Sequence, residues 1–72
     1  MIMQIVSVRF QDSDHRYGDK EAVATLEDGR EEFVFPWFSD ELNFREEDLL
    51  GLTIEQARDV KVARDTAYLM VP

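Results

Sequence analysis

The chain has 72 residues, no cysteine, and sixteen Asp and Glu against eight Lys and Arg, for a net charge of −8. That length holds a single hydrophobic core, so residues 1–72 are read as one small acidic domain, and a 44% hydrophobic content with five Phe, two Tyr and one Trp is a folding composition. The acid excess repels phosphate backbones and argues against direct binding of nucleic acid, while the missing cysteine excludes disulfides, thiolate metal sites and thiol nucleophiles.

The start, Met1-Ile2-Met3-Gln4, lacks the charged opening and apolar run of a signal peptide, and no stretch approaches the roughly 18 apolar residues of a membrane span. A cytoplasmic protein without a membrane partner is expected. Residues 2–10 then alternate as a strand, with Ile2, Val6, Val8 and Phe10 on one face and Ser7 and Arg9 on the other. Met3 and Ile5 make its first half apolar on both sides, which predicts a strand that is central in the sheet or covered by another element rather than a free edge.

Residues 11–19 are polar and rich in turn formers, and read as a loop. Asp28-Gly29 between Lys20–Glu27 and Arg30–Trp37 predicts a two-residue type I′ hairpin. Its register would set Leu26 opposite Glu31, Ala24 opposite Phe33 and Ala22 opposite Phe35, so that small alanines meet large rings. Ala22, Ala24, Leu26, Phe33, Phe35 and Trp37 would then form a core face, with Glu21, Glu27, Arg30 and Glu32 outside beside Val23, Thr25 and Val34. Pro36 has no N–H to donate, so the third strand ends there or lies at an edge.

In the connector, Asn43 can cap a short helix over Phe44–Leu50, stopped by Gly51. Thr53 and Gln56 form a stronger start signal for a second helix, in which Ile54, Ala57, Val60, Ala63 and Ala67 recur as a narrow stripe of mostly small residues. Helix is expected to about residue 66, and residues 67–71 suit either a last turn or a fourth strand beside the first. The fold class is therefore α+β: an antiparallel sheet of three strands, or four, packed against a C-terminal helix, with a short helix in the connector.

Candidate chemistry is sparse. Asp12, Asp14, His15 and Asp19 share a loop, but a calcium loop starting at Asp12 needs Gly at its sixth position and Glu at its twelfth, where Tyr17 and Val23 stand. His15 is the sole histidine, and its loop offers no rigid support for a Ser13 nucleophile. Glu46, Glu47 and Asp48 suit a helix N-terminus, and Arg58, Lys61 and Arg64 interleave with acids as a solvated helix face. The three glycines match no phosphate-binding fingerprint. No catalytic residue, metal site or cofactor is assigned, and an enzyme is not expected.

The position of the charge says more than its total. Residues 12–48 hold thirteen acids and four bases, or −9, and the remainder holds three acids and four bases, or +1. Asp12, Asp14, Asp19, Glu21, Glu27 and Glu32 are the candidate protein-binding acids. Trp37 and Phe38, in the densest aromatic cluster, are the candidate interface anchors if their rings are exposed. Such a surface fits a protein partner with a basic face of the kind that holds DNA or RNA, as small anti-CRISPR and anti-restriction inhibitors do by mimicking a nucleic-acid backbone. Self-association as a homodimer or accessory subunit is the second expectation, because small cores often need a partner.

Tyr17-Gly18-Asp19, Leu26-Glu27-Asp28-Gly29-Arg30, Trp37, Gly51-Leu52-Thr53, Gln56-Ala57 and Arg64-Asp65-Thr66-Ala67-Tyr68-Leu69 together resemble a group of short, functionally uncharacterised bacterial and mobile-element proteins. The resemblance implies a stand-alone domain from a bacterium or its phages and plasmids. It transfers no site residue.

Overall fold

The structure, a computed structural model, describes residues 2–14 and 16–70. Three antiparallel strands, β1 (Ile5–Asp12), β2 (Lys20–Leu26) and β3 (Glu31–Trp37), are ordered β1-β2-β3, and one helix, α1 (Ile54–Met70), packs against β3. The fold is α+β. Its core comprises Ile5, Ala22, Ala24, Leu26, Val34, Phe35 and Trp37 from the sheet, Phe44 and Leu49 from the connector, and Ala57 from α1.

β1 does not keep strict alternation. Ile5 pairs with Leu26 and Ser7 with Thr25, so Val6 is an inserted bulge residue. The insertion turns Ile5, rather than Val6, into the core beside the half-buried Val8 and Phe10, and Ile2 and Val6 are exposed. The expected face of Ile2, Val6, Val8 and Phe10 is corrected accordingly. The cause is the connector, which holds Ile5 from outside the sheet: Ile5 donates to the Leu52 carbonyl at 2.7 Å, and Gly51 donates to that of Ile5 at 2.9 Å. Although β1 is terminal in the sheet, its outer side is covered at Ile5.

The hairpin turn also differs from the expected type. Gly29 has φ +89°, but among the described residues none other than glycine has positive φ, which rules out type I′. Gly29 donates to the Leu26 carbonyl at 2.9 Å and Leu26 donates to that of Arg30 at 2.8 Å, the pattern of a three-residue loop with a left-handed glycine. A single glycine serves this turn, whereas type I′ would also force Asp28 into the left-handed region. Thr25 consequently pairs with Glu31, and Ala24 with Glu32, one residue away from the expected register.

A second bulge, at Val34, restores Ala22 opposite Phe35. Between the two offsets the faces exchange: Val34 is 2% exposed and Phe33 41% exposed, the reverse of expectation. Pro36 lies on the terminal strand β3, where its missing donor breaks no ladder bond on the outer side.

The connector forms only a single 3-10 turn, Glu46–Asp48, capped at Arg45 rather than at Asn43. The Asp48 carboxylate accepts the Arg45 N–H at 2.8 Å, which starts the turn two residues late and leaves Phe44 free to enter the core. The Phe44 ring lies 4.8 Å from that of Phe35 and 5.3 Å from that of Trp37. In α1 the cap forms as read from sequence: the Thr53 N–H donates to Gln56 Oε1 and the Gln56 N–H to Thr53 Oγ1, both at 3.1 Å.

The helix continues to Met70, so Ala67–Met70 make no fourth strand, and Val71 lies outside the described residues. Ala, Leu and Met are strong helix formers, and the flank of β1 where a fourth strand would lie is already taken by the connector.

Candidate functional site

The end of the sheet opposite the hairpin gathers exposed acids around an exposed ring. Asp12 pairs with Lys20 across the β1–β2 ladder, and Ser13 donates to the Asp19 carbonyl at 2.9 Å, which closes the loop. Asp19 then clasps the connector: its carboxylate accepts the Ser39 N–H and the Ser39 hydroxyl, each at 2.8 Å. The two Ser39 bonds, backbone first, hold the Asp19 carboxyl below its usual range.

Gly18 enables this clasp because a Cβ there would meet the Trp37 carbonyl carbon at 2.8 Å. A turn follows, in which Glu41 and Leu42 donate to the Phe38 carbonyl at 3.0 and 3.1 Å. Asp12, Asp14, Asp19, Asp40 and Glu41 are all exposed here, and Phe38 is 42% exposed. Five carboxylates thus stand against the cations Arg16 and Lys20, the second already paired. Tyr17 is exposed in the same loop.

The remaining candidate residues lie elsewhere. Glu21 accepts from Gln11 Nε2 at 3.0 Å on the outer face of the sheet. Glu27 is at the hairpin end, where its side chain accepts the Gln4 N–H at 2.7 Å and fixes the start of the chain to the turn. Glu32 opposes Ala24 and is therefore on the covered face. The spaced outward row of Glu21, Glu27 and Glu32 is not formed, because the three-residue turn shifts the register by one. The outer face instead carries Glu31 paired with Arg9 at 2.8 Å, together with Phe33. Trp37 is buried against Phe10, Phe35 and Phe44, which leaves Phe38 as the exposed member of the aromatic cluster.

Several charged residues that read as solvated hold the fold. Glu46 accepts the Val8 N–H at 2.8 Å. Arg58 donates to the Val34 and Phe33 carbonyls at 2.9 and 3.0 Å. Arg64 lies 4.7 Å over the Phe44 ring, donates to the Asn43 carbonyl at 2.8 Å and pairs with Asp48 at 3.3 Å. The Arg45 N–H and then Arg64 hold Asp48 below the usual carboxyl range. Three-residue spacing along α1 was the available signal for Arg58 and Arg64, since it places both on the side of the helix that meets β3 and the connector.

A cleft of about 470 Å³ between the chain start, the hairpin and the first turn of α1 is lined by Ile2, Met3, Leu26 and Ile54, with Arg30 and Arg58 at its rim. Both guanidinium groups are engaged, Arg30 with Asp28 and Arg58 with the two carbonyls. Among the described residues no three His, Asp or Glu side chains converge as metal ligands, and no helix is long and apolar enough to cross a membrane. His15 lies outside the described residues. No family model matches the chain, and the searches of curated proteins and of solved structures find no protein similar to it.

Proposed function

We propose that this protein is a non-enzymatic acidic interaction module that docks a basic protein surface through the loop end of its sheet. The supporting observation is the exposed Phe38 ring set among Asp12, Asp14, Asp19, Asp40 and Glu41. Carboxylates spread over two hydrogen-bonded segments steer a cationic partner and set its orientation, and a half-exposed ring offers a face to a guanidinium group. Asp19, held below the usual carboxyl range by Ser39, keeps its charge in mild acid.

A surface that holds nucleic-acid phosphates carries the matching cations, so occupying it would exclude nucleic acid, which is how an inhibitor acts. The favoured partner is therefore a nucleic-acid-binding protein, engaged through this acidic end. The test is calorimetric titration with an arginine-rich peptide and with a basic DNA-binding domain. Binding should weaken about tenfold or more between low and high salt. It should fall again on Asp14→Lys with Asp40→Lys, and on Phe38→Ala, while Glu55→Lys on α1 leaves it unchanged. Salt-independent binding, or equal loss at Glu55, would overturn the reading.

A further inference from the structure

The last turns of α1 break the pattern expected of a helix lying on a sheet. Val62, Leu69 and Met70 are 61%, 79% and 76% exposed, and Ala63, Thr66 and Ala67 are exposed with them. At about 100° per residue these six side chains fill one continuous arc on the side away from the sheet. Only two charges lie between Val62 and Met70, and both are satisfied within the chain: Arg64 by Asp48 and the Asn43 carbonyl, Asp65 by Lys61. The one hydroxyl in the arc, Thr66 Oγ1, donates to the Val62 carbonyl at 2.9 Å. Nothing polar in this surface would be stranded by covering it.

We propose that this arc is a homodimer interface, with α1 of one copy crossing α1 of a second. The relief is self-complementary. Val62, Thr66 and Met70 follow one another at four-residue steps as a ridge, and beside it Ala63 and Ala67 form a parallel row low enough to receive such a ridge. Two copies related by a two-fold axis each place the ridge in the other's alanine row, the arrangement that gives helices crossing at about −50°.

Charge favours the same occupant. Each copy carries −8, so contact through most of its surface brings like charges together, whereas this arc is neutral. The six side chains offer roughly 500 Å² per copy, or about 1,000 Å² for the pair, which is the lower end for specific interfaces and corresponds to a weak, concentration-dependent dimer.

Because the chain has no cysteine, a single introduced thiol reports this contact. Ala67→Cys should form a disulfide-linked dimer on mild oxidation, and Ser7→Cys, exposed on the outer face of the sheet, should not. Sedimentation of the unmodified protein should move from monomer toward dimer over roughly tens to hundreds of micromolar. Ala67→Lys should stay monomeric across that range with an unchanged circular dichroism spectrum. Added salt should strengthen the dimer by screening the net charge, the opposite of its effect on the acidic docking site, so the two readings fail separately. A monomer throughout, dimerisation of Ala67→Lys equal to that of the parent, or equal cross-linking at residue 7 would overturn the proposal.

Discussion

Two residues carry consequences out of proportion to their size, and Gly18 is the first. Its α-carbon passes so close to the Trp37 backbone that Gly18→Ala must push strand and loop apart. Overpacking of this kind costs about 1–3 kcal/mol. A urea titration followed by the fluorescence of Trp37, the only tryptophan, should show the midpoint falling accordingly. Asp48 is the second. It caps the connector turn and binds Arg64, and its carboxyl, like those of Asp19 and Asp28, is held below the ordinary range. A depressed folded value means that the stabilisation is fully present above the ordinary carboxyl value of about 3.9 and is lost as pH falls through the lower folded value. Stability should therefore decline below about pH 4, and Asp48→Asn should lower it at neutral pH while flattening the acid limb of a urea-midpoint profile against pH. Lys20 is raised by its bond to Asp12, so the lysine's contribution is fully present below the ordinary lysine value and is lost at strongly alkaline pH.

Elements differ in how far their own residues determine them. The Thr53/Gln56 cap depends on side chains three residues apart and was legible in the chain; Thr53→Ala should cost about 1 kcal/mol, measured by thermal unfolding. The three strands could likewise be read from their β-prone runs, whereas two-sided apolarity left β1 either central or covered, and the structure places it at the end of the sheet with the connector on Ile5. The bulges at Val6 and Val34 could not, because an inserted residue is chosen by distant contacts: Leu52 and Gly51 on Ile5 in one case, the Arg58 head on the Phe33 and Val34 carbonyls in the other. The candidate site suffered from the same blindness. Glu27 and Glu32 look like one outward row only if the register is continuous, whereas Asp40 and Glu41 join the acidic end only once Asp19 has bonded Ser39 across twenty residues of sequence. Phe38 was recoverable from parity, since it follows the core position Trp37 by one.

For the molecule as a whole, acidity and apolar exposure are laid out in separate places. Five carboxylates cluster at the loop end of the sheet, and the uncharged arc occupies the outer side of the last turns of α1, so salt should act on the two surfaces in opposite directions. A further consequence comes from the flanks of the sheet. Along β1, Ile5 is bonded on both its backbone groups by the connector, and the Val8 N–H is taken by Glu46. Along β3, Arg58 occupies two successive carbonyls at the bulge, and Pro36 has no donor to give. A strand arriving from another chain would find these groups already taken on either side. Both flanks are thus obstructed at these positions against β-strand addition and edge-to-edge pairing, which favours recognition of this protein through its side chains. Opening one flank with Arg58→Ala and Pro36→Val together should reveal this protection as faster thioflavin-positive aggregation at neutral pH.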